Sequence, residues 1–217
     1  MSVKRLVLPR LYVILDAALI TVPETDFAQK LVNAGVRLLQ YRNKRASARE
    51  LFECSRRLSS LLIPQGVSFI VNDRADVASA AEASGVHVGQ EDLRAEAARS
   101  VIGAGKLLGV STHNLEQFRE AAATSADAVA VGPVFYTSTK ASPDPVVGIE
   151  LIRRIRPLTD KPIVAIGGIK LECAAQVIQA GADSVAVASD ILLAPDPRRR
   201  AQQYIELLEA ANHAADV

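Results

Sequence analysis

Residues 128–140 read AVAVGPVFYTSTK, and the stretch changes character at Gly132-Pro133. Ahead of the turn, AVAV is an uninterrupted run of small apolar residues. It suits a strand buried on both faces, which shows no alternation of polar and apolar positions. Behind the turn, Thr137, Ser138, Thr139 and Lys140 gather hydroxyl and backbone donors beside an ammonium, a combination suited to phosphate oxygens. A solvated polar loop offers the same residues, so the rest of the chain has to decide between them.

Working outward, the same transition recurs. Upstream, KLLGV at 106–110 ends in Ser111, Thr112 and His113, and Asn114 caps a helix that runs to about Ala123. Downstream, a helix over 148–156 leads through Pro162 into IVAI at 163–166 and Gly167-Gly168. A further helix from Leu171 to Ala180 leads into SVAVA at 184–188, then Ser189 and Asp190. In the N-terminal half, LYVIL at 11–15 ends in Asp16, and Asp26 is placed to cap a helix running to Asn33. VRLLQY at 36–41, a helix over 47–62, SFIV at 68–71, a short helix from Ala75, VHV at 86–88 and a helix over 93–102 complete that half. A tail helix at about 198–211 is amphipathic through Tyr204, Leu207 and Leu208. Eight apolar strands, each followed by a helix with no linker or low-complexity segment between them, predict an α/β fold: one (β/α)8 TIM barrel domain over 1–217. An open doubly wound sheet is the alternative, because periodicity does not prove closure.

The totals agree. The chain has 217 residues, 49% hydrophobic and only 4% aromatic with no Trp, so its core has to be aliphatic, as at helix and strand contacts. A net charge of +1 leaves no global field to recruit nucleic acid or an anionic membrane. Cys54 and Cys173 stand far apart in no metal-binding or disulfide spacing, which fits a reducing cytoplasm. Pro9, Arg10 and Asp16 interrupt the apolar N-terminus, so neither a signal peptide nor a membrane span is expected.

In a barrel, catalytic groups sit where the strands end at the C-terminal face. The ring of strand ends carries Asp16; Gln40, Arg42 and Lys44; Asn72 and Asp73; Gln90 and Asp92; Ser111 to His113; Thr137 to Lys140; Gly167-Gly168; and Ser189-Asp190. Asp73 and Asp92 end adjacent strands, and two carboxylates about 4 Å apart repel by roughly 4 kcal/mol at an effective dielectric of about 20. A shared proton, a basic neighbour or a hard divalent cation would offset that, and an oxygen-only ligand set points to magnesium. Alternatively, Asp73 pairs with Arg74 or caps the following helix. Arg42, Lys44 and Lys140 bring cations to the same face and, with magnesium, would hold a diphosphate, although each taken singly could be a solvated surface cation. Gly167-Gly168 and Ala188-Ser189 occupy the barrel's usual positions for a monophosphate held by backbone N–H groups. His87 reads as a core or supporting histidine, His113 as part of a helix start, and His213 as tail. The basic run from Arg198 to Arg200 reads as a solvated helix start. No nucleophilic triad or Cys/His arrangement emerges.

The motifs at these strand ends, taken in order, resemble the thiamine phosphate synthase (thiamine-phosphate pyrophosphorylase) family. They are QYRNK at 40–44, NDRADVA at 72–78, GVHVGQEDL at 85–93, GVSTHN at 109–114, GPVFYTSTK at 132–140, PIVAIGGI at 162–169 and VAVAS at 185–189. The resemblance implies a (β/α)8 barrel and a transferase of an alkyl group. Such an enzyme joins hydroxymethylpyrimidine diphosphate to a thiazole phosphate, or its carboxylated form, and releases diphosphate with magnesium as cofactor. It also implies a dissociative mechanism in which the aminopyrimidine stabilises a methylene cation before the thiazole nitrogen attacks. By matching position, Gln40, Arg42, Lys44, Asn72, Ser111 and Lys140 would bind the pyrimidine diphosphate, with Arg42, Lys140 and Ser111 as the catalytic set. Asp73 and Asp92 would hold magnesium, and Thr137, Ser138, Thr139, Gly168, Ala188 and Ser189 would receive the thiazole phosphate. The chain departs from the family at Asn43, often acidic there, at Tyr41, where Leu is common, and at Ala188, where Val is common. Tyr41 and Asn43 flank substrate-binding side chains and are expected to shape the pyrimidine pocket. A related barrel, the thiazole tautomerase, carries His where Pro133 stands and lacks the metal aspartate, so Pro133 and Asp73 favour the synthase; a phosphate-ligand-binding barrel without catalysis is the more distant alternative, against which Asp73, Asp92, Arg42 and Lys140 together count. The substrates are expected to be small molecules, with neither nucleic acid nor membrane as partner and with self-association possible.

Overall fold

The computed structural model describes residues 6–137 and 144–213. Eight parallel strands close into a barrel in chain order: β1 (Leu11–Asp16), β2 (Leu38–Arg42), β3 (Ser68–Asn72), β4 (Gly85–Val88), β5 (Leu107–Thr112), β6 (Ala128–Val131), β7 (Ile163–Ile166) and β8 (Ser184–Val187). The closing pair is β1 on β8, with Leu11 opposite Val185 and Val13 opposite Val187. That pairing joins strands at opposite ends of the chain and excludes the open sheet. Helices α1 (Glu24–Asn33), α2 (Ala48–Leu62), α3 (Ala75–Ala80), α4 (Ala95–Ile102), α5 (Leu115–Ala123), α6 (Gly148–Ile155), α7 (Leu171–Gln179), α8 (Ser189–Leu192) and α9 (Pro197–His213) alternate with or follow the strands.

Continuous apolar strands are what a parallel sheet covered on its outer face and filled within requires. All six residues of β1 are buried, as are the four each of β4, β6 and β8. Two cores result. One fills the space between strands and helices, where Leu15, Phe69, Leu108 and Val185 meet Leu31, Leu58, Phe118 and Tyr204. The other lies inside the barrel, where Tyr12, Ile14, Leu38, Ile70, Ala130, Val164 and Ala186 pack together. Because successive strand residues point to opposite faces, each strand supplies both cores in alternation.

Local signals place two of the helix starts. Ser47 accepts from the Glu50 N–H at 3.3 Å while Glu50 accepts from the Ser47 N–H at 2.8 Å, a capping box that starts α2. Asn114 caps α5 through the Gln117 N–H at 2.9 Å, as its sequence position predicts. Asp26 does not cap α1. The helix begins two residues earlier behind Pro23, so Asp26 lies within its first turn, where a carboxylate still suits the positive end of the helix dipole. The tail helix lies across the outside of the barrel and buries Tyr204 and Leu208.

The opposite end of the barrel is tied by a repeated device. Asp127 Oδ2 accepts from the Leu108 N–H at 2.8 Å and from Arg99 at 2.6 Å, and Asp183 Oδ2 accepts from the Ile163 N–H at 2.8 Å and from Arg156 at 2.5 Å. Ser84 does the same for the Phe69 N–H at 3.0 Å. In each case the residue immediately before an even-numbered strand satisfies a donor of the strand before it.

Candidate active site

The C-terminal ends of β1 to β5 bring polar residues together at one mouth. Asp16 and Arg42 are partners in the β1–β2 register and form an ion pair, with the Asp16 side chain buried beneath the guanidinium. Gln40, two positions earlier on β2, donates from its amide to the buried Tyr12 hydroxyl at 2.7 Å. Together Tyr12 and Gln40 form the boundary between the dry interior and the charged mouth.

Lys44, on the loop after β2, is paired with Asp73, the residue after β3. Asp73 adopts a left-handed backbone (φ 64°), unusual for a residue with a side chain, and its N–H is held by the His87 carbonyl at 2.7 Å. Burial pushes its carboxyl up, Lys44 pulls it down, and the neighbouring Asp92 pushes it up again. Asp92 is itself fixed by the Gly89 N–H, 2.7 Å from Oδ2. Of the two alternatives open for Asp73, neither holds: Arg74 pairs with Asp76 at 2.5 Å, and α3 starts at Ala75 without a side-chain cap.

Ser111 on β5 lies 2.8 Å from Nε2 of His87 on β4. His87 is buried, and burial lowers its pKa to about 4, so it is a neutral hydrogen-bonding partner at ordinary pH. Its ring fits because β5 carries glycine at 109, where a Cβ would collide with the imidazole Nδ1. The Gln90 amide donates to the Ser111 carbonyl at 2.6 Å and ties the loop after β4 to β5.

On the other side of the mouth, Gly167 and Gly168 both have left-handed backbones (φ 96° and 64°). A Cβ at Gly168 would run into the Tyr136 carbonyl, so the loop after β7 packs directly on the loop after β6. The Phe135 N–H donates to the Gly167 carbonyl at 3.0 Å across the same contact. Thr137 is half-buried on the loop after β6, and Ala188-Ser189 opens α8 after β8, on the other side of β7 in the strand order. Ser138, Thr139 and Lys140 lie outside the described residues.

Some expected positions turn away. Tyr41 is buried on the outer face of β2 and Asn43 follows it outward, so neither side chain lines the mouth directly. Strand alternation sends Gln40 and Arg42 inward and Tyr41 outward, where its hydroxyl donates to Glu24 Oε1 at 3.0 Å. Asp190 also leaves the mouth: it accepts from the Tyr204 hydroxyl at 2.7 Å and so clamps α9. Thr112, one residue past Ser111, faces outward and donates to the Ala130 carbonyl at 2.8 Å. Sequence reasoning missed the pairing of Asp16 with Arg42. The available signal was that both residues close adjacent strands.

A profile of the family described as thiamine monophosphate synthase matches residues 11–191, which spans every strand and every strand end above. The chain belongs to the thiamine monophosphate synthase family. A thiamine-phosphate synthase of Koribacter versatilis is 50% identical over 210 residues, covering 94% of this chain and 97% of that protein. One of Chloroflexus aurantiacus is 42% identical over 99% of this chain and its own full length. Among solved structures, thiamine phosphate pyrophosphorylase from Pyrococcus furiosus superposes with a TM-score of 0.85 at 34% identity, covering 94% of this chain and 96% of that one.

The donor set at Asp73 and Asp92 suits the magnesium that the family resemblance implies. Two carboxylates converge: Asp92 lies close enough to Asp73 to push its carboxyl up, with Lys44 paired to Asp73 on the other side. Magnesium is commonly bound through one or two carboxylates together with substrate phosphates.

Proposed function

We propose that the chain is a thiamine phosphate synthase that joins hydroxymethylpyrimidine diphosphate to thiazole phosphate. The observation that carries this reading is the convergence, at one barrel mouth, of two tethered cations, Arg42 and Lys44, with the facing carboxylates Asp73 and Asp92. Such a mouth suits a leaving diphosphate.

Gln40, Asn72 and Ser111 orient the aminopyrimidine, and Arg42, Lys44 and Lys140 hold its diphosphate. The bond between the pyrimidine methylene and the diphosphate oxygen breaks, and its electron pair leaves with diphosphate. The aminopyrimidine stabilises the methylene cation, and the thiazole nitrogen lone pair forms the new C–N bond. Arg42 and Lys140 stabilise the charge that develops on the departing oxygen, and Ser111 is held by His87 to donate its hydroxyl at the same site. Bound at Asp73 and Asp92, magnesium would neutralise further charge on the diphosphate. Thr137, Ser138, Thr139, Gly168, Ala188 and Ser189 take the thiazole phosphate through hydroxyl and backbone donors, which aligns the two reactants. Pro133 and Asp73 support coupling over tautomerisation.

The whole of 1–217 serves as one barrel domain in this reading, and the cytoplasm is its compartment. The two cysteines are free thiols, and no described helix is long and apolar enough to cross a membrane. The test is a coupling assay with purified protein, both substrates and magnesium, following thiamine phosphate by conversion to fluorescent thiochrome. Product that disappears with chelator is expected. Isomerised thiazole phosphate without coupled product would replace this reading with the tautomerase.

A further inference from the structure

We propose that Glu24, Tyr41 and Asn43 form a hydrogen-bonded strut outside the barrel that positions Arg42 and Lys44 within its mouth. Tyr41 and Asn43 are positioning residues, and Glu24 anchors them to the first turn of α1. The proposal rests on the synthase reading for the identity of the anion that Arg42 and Lys44 receive.

The strut is continuous. The Tyr41 hydroxyl donates to Glu24 Oε1 at 3.0 Å and accepts from the Asn43 amide at 3.2 Å. The amide oxygen of Asn43 accepts from the backbone N–H groups of Arg45 and Ala46, both at 3.1 Å. Beyond them the capping box of Ser47 and Glu50 fixes the start of α2. Arg42 therefore stands between two residues of the strut, and Lys44 stands between Asn43 and the first N–H that Asn43 holds. Their side chains point the other way, to Asp16 and Asp73.

This arrangement has a physical use. A lysine or arginine carries much rotamer freedom, and ordering it on binding an anion costs affinity. The pairing with Asp73 already restricts the Lys44 side chain, and fixing the backbone on both sides of Lys44 removes the backbone's share of the ordering cost before the anion arrives. Glu24, Tyr41, Asn43, Glu50, Cys54 and Arg57 also line an open cleft of about 360 Å³ on the outer surface. Water entering the cleft can solvate a partner left behind by a substitution, so loss of one hydroxyl should loosen the loop without collapsing the core. Two of the three departures from the family pattern, Tyr41 and Asn43, thus act together: the hydroxyl of one receives the amide of the other.

Tyr41→Phe removes the hydroxyl and keeps the ring. The binding of inorganic diphosphate with magnesium is measured by calorimetry, and coupling kinetics are measured for both substrates. A lost hydrogen bond of this kind should weaken diphosphate binding by about 3- to 10-fold and lower kcat/KM for the pyrimidine diphosphate to match. KM for thiazole phosphate should stay unchanged, and the melting temperature should fall by no more than the few degrees that one lost hydrogen bond costs. Glu24→Ala should reproduce the effect, and Glu24→Gln, whose amide oxygen still accepts from Tyr41, should restore tight binding. Unchanged diphosphate binding in Tyr41→Phe overturns the proposal, as does an equal loss for both substrates accompanied by lower thermal stability. If Tyr41→Phe does not fold, the Glu24 pair makes the same comparison, and equal behaviour of Ala and Gln overturns the strut. Wild-type protein that binds diphosphate but forms no thiamine phosphate would overturn the activity reading while the strut is still judged by binding. Wild-type protein that binds no diphosphate would overturn both.

Discussion

His87 on β4 and Ser111 on β5 share a hydrogen bond of 2.8 Å across the barrel wall, and Gly109 makes room for it. The serine hydroxyl is thereby oriented from below by a buried, neutral imidazole. Gly109→Ala should drive the ring out of place. Overpacking of this kind costs about 1–3 kcal/mol, so a lower melting temperature is expected together with a fall in coupling rate. A variant with wild-type kinetics would show that the His87 contact does not set the Ser111 hydroxyl.

Asp73 carries the charge that pairs with Lys44 and faces Asp92. Asp73→Asn keeps the shape and removes that charge. It should lower the coupling rate and weaken the apparent affinity for magnesium in a titration of activity against metal. An unchanged magnesium titration would remove Asp73 from the metal site.

Lys140 is proposed to meet the departing diphosphate. Lys140→Ala should cost on the order of 10²-fold or more in kcat if the ammonium stabilises charge that develops only in the transition state. A rise in KM at constant kcat would make it a uniform binder instead.

Gly168 holds a left-handed backbone against the Tyr136 carbonyl, and both features exclude a side chain. Gly168→Ala should displace the loop after β7 and raise KM for thiazole phosphate. The binding of inorganic diphosphate, at the other side of the mouth, should remain as in the wild type. Equal losses at both sites would point to general unfolding of the mouth.

Asp183 ties β7 to β8 at the end of the barrel away from the mouth, through the Ile163 N–H and Arg156. Asp183→Ala leaves that donor and that guanidinium without the carboxylate, a loss of about 1–3 kcal/mol. For a chain of this size each kcal/mol lowers the melting temperature by about 2–4 °C, so the drop is measurable by calorimetry. Kinetics at a temperature where the variant is folded should match the wild type.

Much of the architecture is legible in the residues alone. IVAI is read as a strand at 163–166 and is found with those bounds, because Pro162 and Gly167 punctuate it on both sides. The strand read at 36–41 is found at Leu38–Arg42, since pairing with β1 and β3, not apolarity, sets its ends. Asp26 misleads because a carboxylate suits both a cap and the first helical turn, and Pro23 settles where α1 starts. At the site, Arg42, Lys44, Asp73, Asp92 and Ser111 are named from their places at strand ends. Asp190 and Thr112 occupy equivalent places in sequence and face elsewhere.

The order of eight strands and eight following helices, and the gathering of polar residues just past each apolar run, were determined by local chemistry: periodicity, caps and turns act within a few residues. Tertiary structure decided closure, through the pairing of β1 with β8, and decided which charges meet. It joined Arg42 to Asp16 and Lys44 to Asp73, and it sent Tyr41 outward to Glu24. Those outcomes depend on strand register, where a shift of one residue exchanges the two faces of a strand, and register is set by partners far away in the chain.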